Sequence, residues 1–270
     1  MADLATLVTR ARPDEFTDTQ RPLFELLIHI RSGTTSHEVD FQTHHLQAGD
    51  VLWVHSGQVQ RWGRVDALEA TICMFDETLF DAATDQLLRG CRAFTQTHWA
   101  NVARPGSPLA QAFSLLLRRQ QDIDAQVGLT AAASAHAMAA VALDLLATSQ
   151  ESPTPGSGAH PADELDERMP QFRRAVECHF ATDRSVRSYA RRLGWSERTL
   201  HRVVLGSTGI TPKEIISERV VLEAKRLLVH GGTSVEMIAR TLGFEDQSNF
   251  TKFFKKAVGV APREFRRTHT

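Results

Sequence analysis

Between Leu23 and Phe80 the apolar residues fall into short runs, Leu23–Ile30, Val51–Val54 and Ala70–Phe75, separated by turn-formers such as Ser32-Gly33 and Ala48-Gly49-Asp50. Runs of this length bounded by Gly, Ser and Asp predict an antiparallel β domain. From Pro108 the period lengthens. Leu109, Phe113, Leu116 and Leu117 fall on one helical stripe, and Gly128–Thr148 is an Ala/Leu-rich segment with no breaker inside it. Helices that follow a β unit either cap its core or present a face to a second copy. The stretch from Gln150 to Pro161 then holds three prolines, two glycines and three Ser/Thr, and reads as a flexible linker.

Past the linker the pattern repeats. Ala190, Leu193 and Gly194 pair with Ala239, Leu242 and Gly243 at an offset of 49, and Leu200, Gly209 and Pro212 pair with Phe250, Gly259 and Pro262 at 50. The second copy therefore carries one extra residue in its turn. Each repeated position has a use in two short helices crossed through a tight turn. A small residue, Ala190 or Ala239, lets one helix pass over the other, and Gly194 and Gly243 end the first helix in the left-handed conformation. Val186, Leu193, Leu200 and Val203 fill the wedge in copy one; Val235, Leu242, Phe250 and Phe253 do so in copy two. Ser196 and Asp246 are placed to cap the helix that follows. Helix-turn-helix units are expected at about 185–208 and 234–258.

Charge sharpens this division. The net charge of −1 conceals a balance of −10 up to Asp166, where eleven Arg and no Lys face 21 acidic residues, and of +9 from Glu167 onward. Two domains with different partners are expected: 1–150, a linker over 151–166, and a basic domain over 167–270 suited to nucleic acid. With 42% hydrophobic and 23% charged residues the chain is globular in composition. Three widely spaced cysteines, Cys73, Cys91 and Cys178, exclude a disulfide framework and a CxxC metal knuckle. The most apolar segment, Ala131–Ala147, is broken by Ser134, His136 and Asp144, and the N-terminus has no apolar signal core, so a cytoplasmic protein without a membrane span is expected.

Residues 170–267 resemble the DNA-binding domain of the AraC/XylS family of bacterial transcription regulators. The second copy carries the resemblance most fully: Ile238-Ala-x₂-Leu-Gly-Phe, Ser248-Asn-Phe-x-Lys-x-Phe-Lys-Lys, and Gly259-x₂-Pro262-x₃-Phe265-Arg266. In copy one Val203-Val204 stands where an aromatic often closes the core. The resemblance implies seven helices, with the two helix-turn-helix units joined by a long helix from Pro212 to about Val229. That helix is expected to run Glu218, Glu223, Lys225 and Arg226 on its wet side. The second helix of each unit would lie in the major groove, where base edges are distinguishable. With Leu200, Val203 and Val204 inward, Arg198, His201 and Arg202 face out; with Phe250, Phe253 and Phe254 inward, Gln247, Ser248, Thr251 and Lys252 do. Arg202 and Lys252 are equivalent. Lys255, Lys256 and Arg191 suit phosphate.

Gly49 to Trp62 resembles the second motif of the cupin β-barrel, with His55 at the proline position and Gln60 at the metal-binding histidine position. Upstream, His37, His44 and His45 lack the H-x-H-x₃₋₄-E spacing, so no metal site, cofactor or catalytic group is assigned. The match spans about residues 20–100 and implies the sensor domain that AraC-type regulators carry, with His37, Trp53, Gln60 and Trp62 as candidate effector ligands. The fold class expected is α+β in two domains: a cupin-like antiparallel barrel followed by helices, then an all-α domain. The function expected is sequence-specific regulation of transcription in response to a small molecule, with double-stranded DNA as partner. Homodimerisation would use the helices between Pro108 and Ser149, and an activator would also meet RNA polymerase. The alternatives are a metal-dependent cupin enzyme fused to a DNA-binding domain, and an effector-free architectural DNA binder.

Overall fold

The computed structural model describes residues 2–10, 16, 18–76, 79, 96–122, 137–142, 144–145 and 163–269. Cys91, the linker over Gln150–Pro161 and much of the predicted Gly128–Thr148 helix lie outside them. The chain divides into two compact units, Met1–Thr154 and Pro155–Thr270.

The first unit holds β1 (Ala2–Asp3), α1 (Leu4–Arg10), β2 (Glu25–Ser32), β3 (Thr34–Val39), β4 (Gln42–Gln47), β5 (Val51–Val54), β6 (Gln60–Arg61), β7 (Glu69–Phe75), β8 (His98–Trp99) and α2 (Pro108–Asp122). Residues 137–142 and 144–145 are also helical. The strands form two antiparallel sheets, in the orders β1-β7-β2-β5-β8 and β4-β3-β6. In the larger sheet, Leu27 stands opposite Trp53 of β5 and Cys73 of β7, and Ile28 opposite Leu52 and Ile72. Strand side chains alternate between faces, and here both faces are apolar. Leu26, Ile28, Ile30, Leu52, Val54, Ala70 and Ile72 meet Val39 and Leu46 of the smaller sheet in one core. Leu27, Val51, Trp53, Cys73 and Phe75 pack with Trp99, Phe113, Leu116, Val141 and Leu145 in another. The helices after the strands cap a core, which explains why the β2, β5 and β7 runs are continuously apolar rather than alternating.

Two details differ from the expected pattern. Leu23, which opens the first apolar run, is 80% exposed and precedes β2. The β3–β4 hairpin turns on Asp40-Phe41, both left-handed at φ 49° and 68°. No Asn-Gly or Asp-Gly marks it. Asp40 instead accepts hydrogen bonds from Gln58 Nε2 at 2.7 Å and Val59 N at 3.2 Å, which hold the turn in place.

The second unit has seven helices among its described residues: α3 (Asp163–His179), α4 (Val186–Arg192), α5 (Glu197–Thr208), α6 (Pro212–Val229), α7 (Val235–Thr241), α8 (Gln247–Val258) and α9 (Pro262–His269). Helix α3 begins inside the 151–166 segment read as linker, because no helix breaker follows Pro161 until Pro170. Helix α6 has the predicted bounds, set by Pro212 at its first position and a capping box in which Thr211 and Glu214 bond each other's backbone N–H. Its wet side is narrower than expected. Arg226 is buried and donates to Glu223 at 3.3 Å, and Glu223 also accepts from Arg219 at 3.2 Å. The two arginines share one carboxylate, which keeps a paired charge against the core.

Candidate functional site

Each repeat folds as two short helices with a capped start. Ser185 and Ser196 accept from the Ser188 and Thr199 N–H groups at the starts of α4 and α5, and Ser234 and Asp246 do the same for Met237 and Asn249 in α7 and α8. Ala190 and Ala239 are buried at the crossings, and Gly194 and Gly243 both have φ of 69°. In the first unit Leu200, Val203 and Val204 are fully buried, as expected of the inward face of α5. The aromatics missing from Val203-Val204 come from elsewhere: Phe172 of α3 and Tyr189 of α4 meet edge to face at 5.9 Å in the same core. In the second unit Phe250 and Phe254 are fully buried, while Phe253 is half-buried against Phe244 at 5.2 Å.

With those faces inward, Arg198, His201 and Arg202 of α5 are exposed, as are Ser248, Lys252, Lys255 and Lys256 of α8. Gln247 and Thr251 are half-buried, and the Thr251 hydroxyl donates to the Gln247 carbonyl at 2.8 Å. That bond occupies the hydroxyl hydrogen and leaves its oxygen as an acceptor. On the first helices of the units, Arg192 pairs with Asp183 at 3.6 Å and Arg240 with Glu236 at 2.7 Å. Arg198, Arg202, Lys252, Lys255 and Lys256 have no ion pair among the described residues. Uncompensated cations on the second helix of both units give these surfaces a field that attracts phosphate.

In the first unit three of the four candidate effector residues come together. His37 of β3 is fully buried, and its Nε2–H donates to Gln60 Oε1 at 2.9 Å. Gln60 Nε2 donates in turn to Gln20 Oε1 at 3.0 Å. Trp62 meets the His37 ring edge-on at 4.6 Å, and Phe16 packs on Trp62 at 5.3 Å. Burial holds the imidazole neutral, with a pKa lowered to about 4, and its Nδ1 has no hydrogen-bond partner among the described residues. Since Nε2 carries the hydrogen, that Nδ1 is an unsatisfied acceptor. Gln60 thus spends its amide on side chains where a cupin histidine would bind metal, and the described residues hold no group of three or more metal-ligating side chains.

Trp53 does not join this group. It points to the opposite face of the sheet, fully buried with Trp99 and Phe75, and its indole N–H donates to Glu25 Oε2 at 2.6 Å. Glu25 also accepts from His55 Nδ1 at 2.9 Å and Ser56 N at 3.1 Å. Burial alone would raise this carboxyl; the His55 ring and the three hydrogen bonds hold it below the usual carboxylate value. Parity along β5 carried the signal: Leu52 and Val54 face the smaller sheet, so Trp53 faces away. Gln20 and Phe16 precede β2 and belong to no strand run, which is why the sequence pattern missed them. A separate cleft of about 550 Å³ lies between β2 and α2, lined by His29, Arg31 and Arg118 among others.

A sheet domain with a buried polar group among aromatics, followed by a basic domain of paired helix-turn-helix units, defines a ligand-responsive, DNA-binding regulator of transcription. The helix-turn-helix domain family matches residues 189–268, and the AraC-like ligand binding domain family matches residues 2–141, more than half of the chain. The chain belongs to the AraC family. It is similar to the HTH-type transcriptional activator RhaS of Escherichia fergusonii, 27% identical over 247 residues that cover 90% of this chain and 85% of that protein. ToxT from Vibrio cholerae aligns over 94% of this chain and 95% of its own at 12% identity, with a TM-score of 0.48. The DNA-binding domain of AdpA, solved in complex with a target DNA, aligns over 41% of this chain and 93% of its own at 27% identity, with a TM-score of 0.33. Among the described residues no helix is long and apolar enough to cross a membrane.

Proposed function

We propose that this regulator reads a two-part operator, with α5 and α8 in successive major grooves, and that a small effector held between its sheets controls the reading. Exposed cations on the second helix of both repeats, with no ion pair among the described residues, carry the proposal. In this reading Arg198, His201 and Arg202 line one groove, and Gln247, Ser248, Thr251 and Lys252 line the next. Arg202 has the planar fork that bonds guanine twice, and Gln247 the amide that suits adenine. Lys255 and Lys256 hold phosphate. The effector lies beside His37, Gln60 and Trp62, and shifts the population of conformers competent for DNA. Similarity to an activator supports activation here, with RNA polymerase as a further partner. A homodimer would form through helices after the sheets. The reaction is binding alone, in the bacterial cytoplasm, and no catalytic group takes part.

Footprinting of the full chain on its own upstream region, at stated salt, tests the DNA half. Two protected boxes about one turn apart are expected. Arg202→Ala should weaken the specific complex by about 1–3 kcal/mol and relax preference at one position, whereas Lys255→Ala should weaken all sequences alike and lower the salt slope by about 1. A footprint unchanged by Arg202→Ala would remove this residue from the groove. For the effector half, a metabolite that raises the melting temperature should lose its effect in Gln60→Ala. An effect lost in Arg118→Ala and kept in Gln60→Ala would move the effector to the cleft beneath α2.

A further inference from the structure

The two repeats agree in their turns but not in what those turns touch. Among the described residues, a Cβ added to Gly194 would meet nothing within 4 Å, whereas one added to Gly243 would stand 2.4 Å from the Ala181 carbonyl oxygen. Ala181 belongs to the segment between α3 and α4, so the turn of the second helix-turn-helix unit sits against the approach to the first. Arg184, in the same segment, makes the contact specific. Its Nη2 donates to the Gly243 carbonyl at 2.6 Å, and its guanidinium lies 3.8 Å over the Phe244 ring. Phe244 in turn packs against Phe250 and Phe253 of α8 at 5.3 and 5.2 Å. Lys213, at the start of α6, donates to the Arg184 carbonyl at 3.0 Å and fixes the backbone from which the side chain extends.

The units are also joined through α6, whose 18 residues span about 27 Å. A single helical strut of that length sets the separation, but long helices curve. A second attachment away from the strut closes a triangle, which holds the relative orientation as well as the distance. From this geometry we infer that Arg184 is a positioning residue: by clamping the Gly243 turn to the α3–α4 segment it sets the phase between α5 and α8, and so the operator spacing that the protein accepts. This rests on the two-groove reading above. Arginine suits the task because one planar group both stacks on an aromatic face and donates in its own plane; lysine offers a point charge and no plane.

The experiment uses the full chain and a duplex that it selects from a random-sequence pool, assayed by fluorescence anisotropy at fixed salt. Three probes are compared: the selected duplex, the same duplex with one base pair inserted between the boxes, and a duplex retaining one box. For the wild type the insertion should weaken binding strongly. Arg184→Ala should bind the one-box probe like wild type, bind the selected duplex roughly ten-fold more weakly, and lose most of the insertion penalty, because a second box adds affinity only when its geometry is held. Arg184→Lys should recover part of that loss. Equal loss on all three probes would make Arg184 a phosphate contact or a folding residue and overturn the proposal. So would an Arg184→Ala variant that keeps both affinity and insertion penalty. A wild type indifferent to the insertion would refute the two-groove reading itself, and the clamp with it.

Discussion

Burial at His37 has a consequence that can be titrated. Its folded pKa lies near 4 against an ordinary value of 6.5, so between those values the unfolded chain binds a proton that the folded one refuses. Stability from this residue is therefore complete above about pH 6.5 and is lost as pH falls toward 4. Burial lowers His29 and His44 in the same direction, so the telling quantity is a difference. Urea midpoints at pH 7 and pH 5 should lie closer together in His37→Phe than in wild type. Glu25 adds to the fall at lower pH, since its depressed carboxyl must be protonated as the fold is lost. Two glycines with the same φ make a second comparison. Alanine at Gly194 should incur only the left-handed penalty of about 1–2 kcal/mol. At Gly243 it must also displace the Ala181 carbonyl, so thermal melts should show the larger loss there.

Among the elements, the helical repeat was far more legible than the strands. Small residues at the crossings, glycine at the turns and polar caps at the starts are local requirements, so they print directly into sequence; α5 and α8 lie where the repeat puts them, and α6 has the bounds that the family resemblance implies. The strands were legible as runs but not as faces. With both sides of the large sheet apolar, β2 reads Leu-Leu-Ile-His-Ile and gives no parity until its neighbours are known. That is why Trp53 could be grouped with Gln60 on motif spacing and yet stand on the other side. The Asp40-Phe41 turn was equally opaque, because what holds it is Gln58 and Val59, far along the chain. Arg226 differs for a similar reason: its charge assigns it to the wet side of α6, and only tertiary packing buries it beside Glu223. Caps allow a quantitative check. Asp246→Ala should cost about 0.5–2 kcal/mol of stability and weaken DNA binding through fraying of α8, measurable by denaturation and by binding on one variant.

Across the whole molecule the division of charge sets how binding responds to salt. The first 166 residues carry −10 and the remainder +9, so a near-neutral total hides a strong internal contrast. Repulsion between the acidic part and DNA acts over roughly a Debye length, about 10 Å at 0.1 M salt. The 167–270 fragment should therefore bind random-sequence DNA more tightly than the full chain at low ionic strength, with the gap closing as salt rises. A gap that persists at high salt would make the effect steric.

The large sheet separates two packed cores. A guest lodged beside His37, as proposed above, would press on strands whose other face packs Trp53 with Trp99 and Phe113. Such packing yields in jumps and not by degrees. Occupancy on one side should then displace indoles on the other, and a change in tryptophan emission on adding effector is the expected readout, with no messenger needed beyond a single layer of backbone.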